Sequence, residues 1–220
     1  FGPGNVFVVE AKRQLVGAVS IDLLPGPSEV LIVADKSANA KFIAADMLAQ
    51  AEHAGDSVVG FATNSKRLLG QVQKEIEKQA PTLSREKYIR EVLKKGTFCL
   101  LTKTLQEAVD ICNDFAPEHL SLVVENEDTW LAKVRTAGAI YVGALSAVAV
   151  GDFVAGPSHT LPTGGSGKSF SGLRADQFQR RASIVRMDQK ALKKSLPTVE
   201  TFARVEGLDA HGKSVSIRVD

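Results

Sequence analysis

Cysteine is scarce in this sequence. Only Cys99 and Cys112 occur in 220 residues, each inside an apolar segment, "TFCLL" and "AVDICNDF". Such usage argues against a disulfide framework and reads as two buried free thiols in a reducing compartment, so a cytoplasmic protein is expected. Long apolar runs are missing as well. The longest fall far short of the roughly 18 residues that a spanning helix needs, and neither a signal peptide nor a membrane partner is expected. An excess of one charge is also lacking. Lys and Arg number 27 against 25 Asp and Glu, a net charge of +2, which gives no reason to expect a nucleic-acid partner. The most basic stretch, "RRASIVRMDQKALKK", is interrupted by an apolar run and reads as solvated surface. There is no initial methionine. The chain opens at "FGPGN", a loop entering a helix, and is expected to be a fragment of a longer chain.

What is present is an alternation of strand-like and helix-like segments. Apolar residues make up 44% of the chain, enough for a sizeable core, and 24% charged residues is ordinary for a globular domain. "VFVVEAKRQL" reads as a helix with Asn5 as N-cap. "SEVLIVAD" reads as a buried strand, and residues 39–54 as a helix stopping at Gly55. Further strands are expected in "SVVGFAT", "GTFCLLT", "HLSLVVE" and "GAIYVGA". Helices are expected at 65–79, 84–95, 104–116 and 126–137. This order predicts an α/β fold, a Rossmann-like parallel or mixed sheet with flanking helices, and in such sheets ligands bind at the carboxyl ends of strands. Residues 146–172 are rich in Gly, Ser, Thr and Pro and read as a long functional loop. The stretch after it reads as a C-terminal helical tail of two or three helices without a core of its own.

Histidine is also sparse, with His53, His119, His159 and His211 making the full set. Each has a carboxylate or carboxamide nearby. Gln50 and His53 are spaced i, i+3 on one helix face, with Asp46 a turn earlier. Glu118 and His119 are adjacent in "FAPEHL", Asp152 and His159 share the glycine-rich stretch, and Glu206 precedes His211 in the tail. Each has a plainer reading. A helical Gln/His pair is usually a solvated face, "GD" in a loop is usually turn chemistry, and a Glu-His dipeptide is usually surface. Neighbouring residues on a strand point to opposite faces, so Glu118 and His119 can serve one site only where the backbone bends, and Pro117 favours a bend. No spacing matches a compact zinc ribbon, and "GPGN" is not the dinucleotide-binding G-x-G-x-x-G. From the residues alone, the reading stops at an α/β protein with a possible His/Asp metal site.

Taken together, "GPGN", "GPSEVLIVAD", "AADMLAQAEH", "FAPEHL", "AGAIYVG", "GDFVAGPSHTLPT" and "EGLDAH" resemble, in family order and over essentially the whole chain, histidinol dehydrogenase. That resemblance implies oxidation of L-histidinol to L-histidine through histidinal, with two NAD reduced, by a homodimeric zinc enzyme of histidine biosynthesis. It implies Gln50, His53, Asp152 and His211 as zinc ligands. It implies His119 as the base for the alcohol and Glu118 as the residue that activates water on the aldehyde. Ser28, Glu206 and His159 are implied as substrate contacts and Asn5 as a contact to NAD. The domains expected are 1–20, the end of an NAD-binding domain, then 21–165, an α/β zinc- and substrate-binding domain, then 166–220, a tail that crosses to the partner subunit. The family's N-terminal half, which carries most NAD contacts, is absent. Two other readings stay open: a related zinc- and NAD-dependent dehydrogenase of another chelating alcohol such as a sulfonated diol, and a non-catalytic zinc- or imidazole-binding fragment.

Overall fold

The structure, a computed structural model, describes residues 1–53 and 56–219. It divides into two compact units, Phe1–Phe178 and Gln179–Asp220. The first is built on a sheet of β1 (Glu29–Ala34), β2 (Val58–Thr63), β3 (Thr97–Leu101), β4 (His119–Val123) and β5 (Ala139–Val142). The strand order is β3-β2-β1-β4-β5 and every pairing is parallel, which resolves the expected "parallel or mixed" sheet. Chain order reverses between β1 and β4, as in doubly wound sheets.

β1 is buried along its whole length, which explains its apolar run from Val30 to Ala34: a central parallel strand has both faces covered. Val30, Ile32 and Ala34 pack on one face with α2 (Ala40–Ala51), α3 (Lys66–Gln79) and α4 (Glu86–Lys95). Leu31 and Val33 pack on the other with α5 (Leu105–Phe115) and with Trp130 and Leu131 of α6 (Glu127–Leu131). Side-chain caps start several helices where the sequence places Ser, Thr or Asn. Ser65 accepts from Leu68 N at 3.3 Å, Thr104 from Glu107 N at 3.1 Å, and Asn5 caps α1 (Val6–Leu15) through Phe7 N at 3.1 Å. Cys112 is buried and Cys99 half-buried, and both are free. No helix among the described residues is long and apolar enough to cross a membrane.

Three expectations change. The helix after β1 ends at Ala51 with Glu52 as its C-cap, and the Gly55 stop lies outside the described residues. The helix expected over 126–137 is only α6, because the buried Asn113 captures the backbone beyond it. Asn113 Nδ2 donates to Lys133 O at 3.0 Å, its Oδ1 accepts from Arg135 N at 2.7 Å, and its carbonyl accepts from Thr136 Oγ1 at 2.6 Å. The glycine-rich stretch is not all loop either. Val148–Phe153 forms a short helix, α7, and Asp152 rides on it.

The second unit is a helix pair, α8 (Gln189–Glu206) and α9 (Asp209–Ser216), joined at Gly207, whose φ of 67° suits glycine. Gly212 packs closely on Ala203, where an added Cβ would sit 3.2 Å from the alanine Cβ. Ala203 and Gly212 are the buried residues of the two helices, while Phe202, Val205 and Ile217 are exposed. Among its described residues the tail therefore shows no core of its own.

Candidate active site

A cavity of about 480 Å³ opens at the amino edge of the sheet. Ser28 precedes β1, Glu118 precedes β4 and His119 begins it, and all three line the cavity. α2 delivers Asp46, Gln50 and, just past its end, His53 to the same wall. Asp152 of α7 and His159 complete the set. The expectation of a site at the carboxyl ends of the strands is thus corrected. The reason is visible at both edges. At the carboxyl end of β1, Asp35 spends its carboxylate on Ser37 N at 2.9 Å and Glu125 N at 2.9 Å, holding its own turn together. At the amino edge, polar side chains converge.

Glu118 and His119 reach one cavity because the chain bends before them. α5 ends at Phe115, and Ala116 takes the left-handed conformation, φ 52° and ψ 63°, with its N–H on Cys112 O at 2.8 Å. That conformation is costly for alanine, and it turns the chain sharply into Pro117. Gly138 N then binds Pro117 O at 2.9 Å and Ala139 N binds Glu118 O at 2.8 Å, fixing the entry to β4. Glu118 Oε2 comes to 3.4 Å from His119 Nδ1.

His119 is buried, with Nδ1 2.9 Å from the backbone oxygen of Glu29. A carbonyl only accepts, so Nδ1 carries the proton and Nε2 is left with its lone pair. Nε2 is buried without a hydrogen-bond partner, 3.8 Å from Asp152 Oδ1. Burial pulls the His119 pKa below its ordinary value, against the opposing pull of the Glu29 carbonyl and Asp152. The ring is neutral at neutral pH and is a proton acceptor. Glu118 is also buried. Its Oε2 accepts from Glu29 N at 2.9 Å, yet desolvation dominates and, with the charges of Glu29 and Asp152, pushes its pKa up to about 8. Asp46, with no bonding partner among the described residues, is pushed up to about 6 by burial.

The donors fit a metal in kind. Gln50 is 4% exposed and lines the cavity, where its carboxamide oxygen is the atom that can ligate, while its Nε2, buried without a partner among the described residues, is a donor that calls for an accepting group. His53 Nδ1 lies 3.2 Å from Ala49 O, which leaves Nε2 free to ligate, the usual way in which an outer contact sets a ligand's tautomer. Asp152 supplies a carboxylate. Among the described residues no group of three or more His, Cys, Asp or Glu side chains is spaced to hold a metal. Of the expected ligands, the unit Phe1–Phe178 supplies His53 and Asp152, with Gln50 lining the same cavity. Asn5 caps α1 and is not among the residues that line the cavity, while in the second unit Glu206 ends α8 and His211 sits in the first turn of α9, both exposed.

One residue of the site escaped the sequence reading. Glu29 is buried and bonds to both Glu118 and His119. Its signal is a carboxylate at the first position of an otherwise apolar buried strand.

The family model for histidinol dehydrogenase matches residues 1–219. A curated relative from Listeria monocytogenes serotype 4b, "Histidinol dehydrogenase", is 40% identical over 219 residues, covering 100% of this chain and 51% of its own. One of the same name from Rhodopirellula baltica is 43% identical over 219 residues, with 100% and 47% covered. The crystal structure of histidinol dehydrogenase from Elizabethkingia anophelis superposes with a TM-score of 0.94 at 36% identity, over 100% of this chain and 51% of that one. The chain spans about half the length of the curated relatives it matches.

Proposed function

The chain belongs to the histidinol dehydrogenase family, and on that premise we propose that it is the substrate-binding and proton-handling half of an enzyme that oxidises L-histidinol to L-histidine by way of histidinal. The observation that carries the reading is His119, a residue of the cavity wall whose Nδ1 is tied to the Glu29 carbonyl and whose Nε2 is buried and, among the described residues, without a hydrogen-bond partner. A neutral imidazole so held is suited to take a proton from an alcohol hydroxyl while hydride leaves the adjacent carbon. NAD would accept that hydride, and most of its contacts would come from the half of the relatives that this chain does not span.

Aldehyde oxidation needs one more event. Water must add to the carbonyl so that a second hydride can leave, and the addition requires a base. Glu118 stands beside His119, shielded from bulk water, with a pKa that suits proton transfer near pH 8. We assign the alcohol proton to His119 and the water proton to Glu118. Ser28 and His159 line the same cavity and would orient the substrate. Gln50, His53 and Asp152 would hold a zinc ion, with His211 as a further ligand. When bound, the metal would hold the substrate through its imidazole and amino nitrogens.

The tail enters as a donor from a second copy. α8 and α9 leave Phe202, Val205 and Ile217 exposed, which supports a homodimer in which residues 188–220 of one protomer bring Glu206 and His211 to its partner's site. Such an enzyme of amino-acid biosynthesis would work in the cytoplasm.

The test is substrate preference. In the assembled enzyme, meaning this chain with the amino-terminal half that the curated relatives carry, L-histidinol should be oxidised in preference to sulfonated diols. Preference for a diol would overturn the assignment of substrate, and no NADH from either would overturn catalysis itself.

A further inference from the structure

β1 and β4 pair from Val30 opposite His119, so one step further toward the amino edge sets Glu29 opposite Glu118. There the ladder changes character. Glu29 donates its N–H to Glu118 Oε2 at 2.9 Å, and the N–H of Glu118 points to Glu29 Oε2 at 3.4 Å. The remaining oxygen of Glu29, Oε1, accepts from Gly164 N at 3.0 Å. Its backbone carbonyl holds His119 Nδ1. A single residue therefore touches both members of the pair and the glycine-rich segment, across 89 and 135 residues of sequence.

A fold does not need a carboxylate for this. A backbone carbonyl or a neutral side chain satisfies an amide without burying charge. Glu29 and Glu118 are each 6% exposed, and among the described residues neither pairs with a lysine or arginine. The buried lysine, Lys12, is committed to Asp22 at 2.7 Å. Two carboxyl groups buried side by side resist ionising together and cost stability, and burial raises the pKa of both. An arrangement that costs stability and serves backbone amides at the mouth of a catalytic cavity is better explained by position than by folding.

We infer that Glu29 is a positioning residue for the Glu118–His119 pair, its carboxylate bridging the amides of Glu118 and Gly164 and so fixing the base-bearing end of β4 against the segment that follows His159. The inference rests on the catalytic reading of that pair. A second bond tightens the same junction: Gly26 N donates to Thr163 Oγ1 at 2.5 Å, next to Gly164.

The test substitution is Glu29→Gln. It preserves shape but leaves one acceptor oxygen for two amides. In the 220-residue chain, amide exchange followed by NMR is expected to speed up about tenfold at Glu118 or at Gly164, the usual consequence of one lost hydrogen bond. Unchanged protection at both amides overturns the bridge, whatever the substrate proves to be. In the assembled enzyme the same variant is expected to lower kcat for histidinal oxidation about tenfold while KM stays nearly constant, since displacement of a catalytic group acts on the chemical step. Accelerated exchange with kcat intact reduces Glu29 to a structural rung and overturns the positioning role. An unsubstituted enzyme inert toward histidinol overturns the functional reading instead, and exchange still decides the bridge. Should the glutamine variant fail to fold, Glu29→Asp, with both oxygens on a shorter stem, takes the same two readouts with the same expected directions.

Discussion

The ring of His119 is held by the backbone of Glu29, with Nδ1 2.9 Å from the carbonyl oxygen. That contact decides which ring nitrogen keeps its lone pair, and it joins the first residue of β1 to the first residue of β4 at the edge where the two strands lie adjacent. The chemistry proposed for this chain depends on that edge being rigid and dry, and several consequences can be measured.

The carboxyls around the cavity give stability a definite pH dependence. Glu118, at about 8 in the native chain against an ordinary 4.5, keeps its proton where the unfolded chain has lost it. Stability therefore falls as pH rises from about 4.5 to about 8. Glu29 and Asp46, both raised by burial, act in the same direction. His119, lowered from 6.5, acts oppositely, and stability is lost as pH falls below that value. Between about pH 7 and 8, where His119 is neutral in both states, Glu118 is left to dominate. Urea unfolding of the metal-free chain in that window should show stability declining with pH, and Glu118→Gln should flatten the decline. Stability rising with pH there would contradict the burial of the Glu118 charge.

Gly138 marks how tightly β5 approaches the pair. A Cβ at this position would lie 2.6 Å from the backbone oxygen of Glu118 and 3.1 Å from Leu161 Cβ. Gly138→Ala should cost about 1–3 kcal/mol, since neither neighbour is a flexible tip. Gly70, in α3 with nothing within 4 Å of its added Cβ, is the control. Gly70→Ala should stabilise by about 0.5–1 kcal/mol. Denaturant unfolding of the two variants compares them directly, and equal effects would mean that the close approach is not real.

Much of this architecture is legible in sequence, for identifiable reasons. β1 reads as a buried strand because every residue from Val30 to Ala34 is apolar, and the helices read from their period and from caps such as Ser65 and Thr104. The edge at which the site lies is not legible, because it depends on where α2 ends relative to β1 and on the left-handed turn at Ala116, which nothing in "FAPEHL" announces beyond its proline. α6 is shorter than its pattern suggests because a single side chain, Asn113, competes for its backbone from 20 residues away. α7 is hidden by the glycines around it. The pair Glu118–His119 is visible as a motif, but its partner Glu29 is visible only once β1 and β4 are seen to be neighbours.

Gln50 carries a stability cost, an amide donor, Nε2, buried among the described residues without an acceptor. Gln50→Met, close in shape and apolar, should stabilise the metal-free chain by about 1 kcal/mol. Zinc uptake by the assembled enzyme should weaken by about 100-fold or more, because a ligand is lost outright. The signs are opposite, and calorimetric unfolding together with zinc titration reads both. Destabilisation with zinc affinity unchanged would return Gln50 to a packing role.

Reciprocal exchange of the tail predicts complementation. Asp152→Ala and His211→Ala each damage every site in a homodimer. Refolded together, mixed dimers should gather both defects in one site and leave the other intact, so that roughly a quarter of all sites regain full ligation with random pairing. Zinc titration of the mixture, with mixed dimers confirmed by mass, should reveal this high-affinity fraction. Its absence would place His211 in the site of its own chain.

The division of labour between Glu118 and His119 is the centre of the account, and it is tested by following the two oxidations separately in the assembled enzyme. His119→Asn should slow histidinol and histidinal oxidation alike, by about 10²–10⁴-fold, the usual worth of a general base. Glu118→Gln should slow histidinal oxidation by a similar factor and histidinol oxidation far less, because water adds only to the aldehyde. Equal losses on both substrates for Glu118→Gln would contradict the assignment.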